Sequence, residues 1–270
     1  MDVALRPASR PDLPVLATIG VLAFRDTPLY AHFAPRHPQR EGDFRAALLL
    51  EARTRFESPG QCVVVAEVDV DVDVDRGGSD GEDEDEREGG EKEGKRRMGR
   101  RMVVGFAYWV KVGGGSAGFG SGPGPSGTGE GKGVQEWYWK DTWGKKLRRT
   151  LLSFEAIYSG TLGPGRIFIA ESVRRFHALT DQIIRNHASI IGREYWYLST
   201  LAVLPAFQHR GIGARLVDWG LELARKEGVP VTLKSTESGY RLYERKGFKE
   251  VDAMQVTESL RVPIMVFEPS

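Results

Sequence analysis

LAVLPAFQHRGIGARLV (residues 201–217) passes from an apolar run, through a turn with two glycines one residue apart, into a helical pattern. The run belongs to a longer stretch, EYWYLSTLAVL (Glu194–Leu204), whose apolar and β-branched character predicts a buried strand. After the turn, GIGARLVDWGLELARKEG places Ala214, Val217, Leu221 and Ala224 on one helical stripe, and Gly228 ends it. In such a strand–loop–helix corner the first-turn N–H groups lack helical partners, and the helix dipole adds partial positive charge. Glycines let an anion approach that backbone, so the corner suits a diphosphate. Gln208, His209 and Arg210 add donors on its rim, and Arg210 can pair with phosphate through two parallel hydrogen bonds. Spacing excludes two other phosphate loops. No Lys-Ser/Thr pair follows the glycines, and Leu216 stands where a dinucleotide fingerprint needs its third glycine.

Downstream, PVTLKST reads as a strand, SGYRLYERKG as a helix ended by Gly247, and FKEVDAMQV and VPIMVFEP as two more strands. Upstream, ALRPAS is a candidate first strand, followed by helical patterns at Pro11–Ala23 and Gln39–Glu57. QCVVVAEV (Gln61–Val68) and MVVGFAYWVKV (Met102–Val112) are rich in strand formers. VQEWYWKDTWGKKLRRTLLSFEAIYSG is aromatic and amphipathic, and SVRRFHALTDQIIRNHASII reads as a helix. Two low-complexity segments, at about 69–101 and 113–133, hold 18 of the 33 glycines. They read as disordered insertions in the turns of a β-meander, which tolerates them because loop-closure cost grows only logarithmically with length. A single domain over residues 1–270 is expected, most recognisable over 195–256.

The net charge of +1 hides an acidic stretch, residues 68–101, with 13 Asp/Glu against 8 Lys/Arg, which leaves the remainder at +6. That surplus suits an anionic ligand but falls short of the basic stripe of a nucleic-acid binder, so no nucleic-acid partner is expected. The start, MDVALRPASRPDL, lacks the form of a signal peptide, and no run reaches about 18 apolar residues, so no membrane partner is expected either. The one cysteine, Cys62, sits in an apolar strand with no local His and reads as an inert buried thiol. It suits a reducing compartment, and a cytoplasmic or nuclear location is expected. KRRMGRR (Lys95–Arg101) has the form of a nuclear signal but reads more simply as a solvated charge run.

No metal site is expected. His177 and His187 are ten residues apart, and His32 and His37 fall in a Pro-containing loop. Asp71, Asp73, Asp75 and Glu82 have the spacing of a calcium loop, but Arg76 replaces its turn glycine.

The stretch 201–217, together with RLYERKGF (Arg241–Phe248), resembles the acetyl-CoA-binding core of the GCN5-related N-acetyltransferases, the GNAT family. Gln208, Gly211 and Gly213 meet its [QR]-x-x-G-x-[GA] signature, and Leu242 to Phe248 meet its Leu-Tyr-Glu-x-x-Gly-Phe motif. The resemblance implies an α/β (α+β) fold: a mixed, mostly antiparallel sheet splayed between its fourth and fifth strands, with helices on both faces. Acetyl-CoA would lie in the opening as cosubstrate. On that likeness, the backbone of Leu201, Ala202 and Val203 pairs with the pantetheine arm, and the N–H groups of His209, Arg210, Gly211, Ile212, Gly213 and Ala214 hold the pyrophosphate. The Val203 N–H would face the thioester carbonyl, and the Tyr243 hydroxyl would protonate the leaving thiolate.

The resemblance also implies transfer of acetyl to a primary amine, on a small molecule or a peptide, by direct attack on the thioester. Such a transfer needs a base for the ammonium. The positions where the family often carries one hold Tyr197 and Ser199, and the nearest carboxylates, Glu194 and Glu237, read as surface charges. A catalytically weak acyl-CoA-binding or interaction module therefore stays open beside the transferase. The amine would enter opposite the cofactor, near Asp26–Pro35 and Trp137–Trp143, and the oligomeric state stays open.

Overall fold

The computed structural model describes residues 2–72, 98–113 and 141–269. In chain order the described residues form β1 (Val3–Pro7), α1 (Leu13–Phe24), α2 (Pro28–Phe33), α3 (Glu41–Glu57), β2 (Gln61–Val72) and β3 (Met98–Val112). There follow α4 (Trp143–Thr161), α5 (Ala170–Asn186), α6 (Ala188–Ile191), β4 (Tyr195–Val203), α7 (Ile212–Glu227), β5 (Val231–Lys234), α8 (Glu237–Arg245), β6 (Lys249–Thr257) and β7 (Leu260–Phe267). The strands make one sheet in the order β1-β2-β3-β4-β5-β7-β6. Every neighbouring pair is antiparallel except β4 with β5.

Alternation along the central strands explains why helices cover both faces. Cys62, Val64, Ala66 and Val68 of β2, with Val104, Ala107 and Trp109 of β3, pack against Ile212, Leu216, Val217 and Leu221 of α7. Val63 and Val65, with Phe106 and Tyr108, face the other way onto Leu13, Leu16 and Ile19 of α1 and Ala52 and Phe56 of α3. On that second face α5 covers β6 and β7, with Phe176 against Met254, Val262 and Ile264. Gly220 lets α7 lie flat on the sheet, because a Cβ there would meet the Trp109 ring at 2.2 Å.

The splay has a simple origin. β5 is only four residues long, and its pairing with β4 runs from Trp196–Val231 to Leu198–Leu233 and then stops. Beyond it, β4 continues along β3 alone, with a register shift that leaves Ser199 without an opposite residue between Tyr108–Thr200 and Trp109–Leu198.

Several expected boundaries move. Asp69–Val72 and Met98–Arg101, read as insertion, lengthen the β2–β3 hairpin, because the Asp-Val alternation there is a strand pattern. Residues 73–97 and 114–140, which carry most of both low-complexity segments, the calcium-like spacing beyond Asp71, the start of KRRMGRR and Trp137, lie outside the described residues. The loop expected to hold His32 contains α2, started by Pro28. His37 is buried, with its ring nitrogens 2.8 Å from the Ala34 carbonyl and 2.7 Å from that of Arg25. The first helix begins later than Pro11, because Arg10–Asp12 make a 3-10 turn in which the Asp12 carboxylate accepts from Ser9 N and Oγ. The helix expected through Ile191 breaks at His187, which pairs with Asp252. Ala214 is only half-buried, and the inner face of α7 is broader than expected, adding Ile212, Leu216, Gly220 and Leu223.

Candidate active site

The opening between β4 and β5 gathers three pieces of chain. The first is the free edge of β4. Leu204 N donates to the Val104 carbonyl, so in the antiparallel ladder Ala202 and Thr200 also turn toward β3. Leu201 and Val203 therefore turn their N–H groups toward the opening, past the point where β5 has ended. The Val203 carbonyl is taken by Gln208 Nε2 at 3.0 Å. Through this bond Gln208, expected as a rim donor, ties the glycine loop to the strand.

The loop is the second piece. His209 has φ of 59° and Gly211 has φ of 80°, both left-handed, on either side of Arg210. Left-handed residues of this sort are what a backbone anion nest is built with. Histidine is among the side chains that tolerate this conformation; at Gly211 nothing lies within 4 Å of where a Cβ would sit, so conformation rather than room demands glycine. The first backbone bond of α7 runs from Arg215 N to the Gly211 carbonyl, so the N–H groups of Ile212, Gly213 and Ala214 precede the helical ladder. The Arg210 guanidinium lies 5.3 Å from the Phe207 ring centroid, which keeps it on the rim.

The third piece is α8. Thr236 caps it by accepting from Gly239 N, and the same turn places Tyr243 in the core, edge-on to Phe248 at 5.8 Å. Burial pushes the Tyr243 hydroxyl well above its ordinary range, so it is protonated at neutral pH. A methyl on Gly213 would lie 3.6 Å from Leu242, 3.7 Å from Leu201 and 4.0 Å from Val203, so loop, strand and α8 converge at that glycine.

The opposite face of the fork was not legible in the sequence. Lys234 directly follows Leu233, the last β5 residue paired with β4. Its alternation with Val231 and Leu233 turns it away from α7, beneath α5. Its ammonium lies 4.3 Å from the Phe176 ring centroid, 5.5 Å from that of Tyr197 and 3.4 Å from Thr180 Oγ1. Burial, with a smaller push from Arg55, lowers Lys234 to about 8. On the same face a cavity of about 480 Å³ between α3 and α4 is lined in part by Glu51, Arg55 and Phe168. Glu51 also borders a small enclosed space with Tyr30, Tyr108 and Thr200, so this wall reaches β4. Arg55 donates to Glu51 at 2.8 Å and stacks 5.1 Å from the Tyr108 ring centroid.

Of the expected substrate wall, Tyr30 borders that small space and Trp143 stands exposed at the start of α4. Glu194 and Glu237 are exposed, and β4 carries no Asp, Glu or His. Cys62 is buried, and burial pushes its thiol up to about 12. Among the described residues no group of three or more His, Cys, Asp or Glu is placed to hold a metal ion, and no helix is long and apolar enough to cross a membrane.

Residues 163–250, which span β4, the glycine loop, α7, β5 and α8, match the family model described as "Acetyltransferase (GNAT) domain". This segment, about a third of the chain, is similar to a GNAT acetyltransferase domain. The chain's sheet is similar to the crystal structure described as histone acetyltransferase HPA2 and related acetyltransferase from Corynebacterium glutamicum, with a TM-score of 0.52 at 16% identity over 100% of this chain and 98% of that one. At that identity the likeness is one of fold. The chain also aligns with a curated protein named "Probable acyltransferase SID5" from Ajellomyces capsulatus, 36% identical over 69 residues. That alignment takes in 23% of this chain, and the chain spans about half, 51%, of the relative's length.

Proposed function

We propose that the protein is an acetyl-CoA-dependent N-acetyltransferase that acts on a primary amine of a small molecule or a peptide. The observation that carries this reading is the convergence at Gly213 of the open β4 edge, the left-handed glycine loop and α8. The site fits the cosubstrate. The N–H groups of Ile212, Gly213 and Ala214 are available to a diphosphate, and the space beside Gly211 is clear for it.

Bound there, acetyl-CoA supplies an activated acetyl group. The Leu201 and Val203 N–H groups would bind the pantetheine arm as a neighbouring strand would, and Val203 N–H would polarise the carbonyl. Tyr243, a phenol that burial holds further from ionisation, would donate a proton to the departing sulfur. On the amine side Lys234 stands at the fork, and burial lowers its ammonium toward the range in which it can exchange a proton near neutral pH. Tyr30, Glu51 and Tyr108 would form the polar wall facing the amine.

A second reading, an acyl-CoA-binding module with weak turnover, is favoured by the lack of a carboxylate or imidazole on β4. Calorimetric titration with acetyl-CoA, run beside thiol release over a panel of amines, separates the two. Binding with amine-dependent release is the expected result. Binding with no release over the whole panel would select the module, and no binding would reduce the loop to a tight corner.

A further inference from the structure

α4 is an amphipathic helix turned inside out. Its inner face is tied to α3 through polar groups: Arg148 Nε lies 2.9 Å from Glu57 Oε2, Arg149 donates to the Glu57 carbonyl at 3.0 Å, and Arg53 of α3 donates to Glu155 at 2.6 Å. Lys145, Leu152 and Ser159, seven residues apart, are its buried positions. The outer face holds Trp143, Leu147, Leu151, Phe154 and Tyr158, continued by Leu162 at the C-cap, and these six side chains are 59–86% exposed. With successive residues about 100° apart around a helix, the six fall in one stripe about 100° wide, turned away from α3. Scattered apolar residues on a surface are ordinary, but a contiguous patch of this size marks a contact.

The spacing of the stripe identifies its occupant. Trp143, Leu147 and Leu151 on one side, and Phe154, Tyr158 and Leu162 on the other, are arranged symmetrically about the point between Leu152 and Ser153. A two-fold axis through that point and perpendicular to the helix lays Trp143 over the copy's Leu162, Leu147 over Tyr158 and Leu151 over Phe154. Each of these six side chains meets another, which is the self-complementarity that a symmetric contact requires, while Ile157, 64% exposed at the edge of the stripe, lies outside the pairing. Aromatic side chains bury on the order of 150–250 Å² each and leucines somewhat less, so at their observed exposure the six offer at most roughly 800 Å² per copy. About 800 Å² per partner is the standard size for a stable protein–protein interface. The helix is about 28 Å long, enough to carry that contact without help from neighbouring elements.

We propose that α4 is the contact of a symmetric homodimer in which it pairs antiparallel with its own copy about the point between Leu152 and Ser153. Sedimentation velocity on the full chain at about 50 µM, above the micromolar affinity within reach of such an interface, should show a dimer. Leu147→Lys and Tyr158→Glu, each alone, place an unpaired charge in the contact and should each give a folded monomer that still melts cooperatively, with a midpoint that no longer depends on protein concentration. Mixed together they should associate again, because the antiparallel register sets Lys against Glu. A monomeric wild-type chain overturns the proposal. If that monomer also sediments with phosphatidylserine vesicles, and Leu151→Glu abolishes this, the face belongs to a membrane surface instead. Two monomeric single variants that fail to associate on mixing overturn the antiparallel register and with it the symmetric pairing.

Discussion

The two faces of the sheet are assembled on different scales. The face under α7 takes the β4 edge, the glycine loop, Gly213, Leu242 and Tyr243 from a stretch of fewer than fifty residues. The opposite face collects Tyr30, Glu51, Arg55, Tyr108, Tyr197 and Lys234 from positions spread over about two hundred. The first works largely through backbone N–H groups, which any sequence supplies once the φ angles are right. The second works through side chains brought together from separate elements. A backbone cradle constrains the chain locally, through φ angles and glycines, whereas a wall of side chains drawn from separate elements leaves no such local mark.

Four substitutions test how separate the faces are. Gly220→Ala should have the largest effect. Its methyl would meet the fully buried Trp109 ring, α7 would lift from the sheet, and stability should fall by about 3 kcal/mol, read by thermal melting. A melt within a degree of wild type would mean that α7 is less closely seated than described. Tyr243→Phe should come next, lowering turnover about 100-fold while acetyl-CoA affinity stays near wild type. Unchanged turnover would return Tyr243 to a packing role against Phe248.

Gly211→Val forces a β-branched residue to a φ of 80° and should weaken acetyl-CoA binding about tenfold, measured by calorimetry, with little effect on any contact made to the amine. If amine affinity falls equally, the two faces are coupled. Lys234→Met should have the smallest effect and touch only the second face. Burial lowers Lys234 from its ordinary 10.5 to about 8, so between those pH values the unfolded chain holds more of this proton than the folded chain. Its contribution to stability therefore rises with pH across that window, on the order of 1 kcal/mol for a group of this burial. The variant should be flatter than wild type from pH 8 to 10, and identical slopes would show that Lys234 is better solvated than its surroundings imply. If Lys234 exchanges a proton with the amine, the pH–rate profile of the variant should lose a limb near 8 as well.

Most of the first face was legible because its signals are local. Gln208, Gly211, Gly213, the stop at Gly228 and the motif from Leu242 to Phe248 lie close together, each with a fixed backbone consequence. Even there two contacts could not be read from the chain. Gln208 donates to the Val203 carbonyl, and Leu201 and Leu242 close on Gly213. Each depends on how close two elements stand. On the second face Lys234 looked like any residue at a strand end, and Glu51 and Arg55 like an ordinary salt-bridged pair one helical turn apart. No spacing rule connects them with Tyr108, because α3 and β3 meet only when the chain is folded.

The same division holds for α4. Its amphipathic pattern was visible in the chain, and an apolar stripe on a helix ordinarily points to the core. Here α3 instead offers Glu57 and Arg53, so the basic and polar stripe turns inward and the apolar one outward. By itself the sequence determined the order of the elements, the left-handed loop and the helix start that a diphosphate can occupy, since these follow from periodicity and from what glycine alone can do. Only the tertiary structure decided that β7 lies between β5 and β6, that β4 and β5 part after Leu233, and which face of α4 is left for a partner. Strand order and facing depend on how each apolar surface finds its complement among all the others, and that choice is made by the whole chain at once.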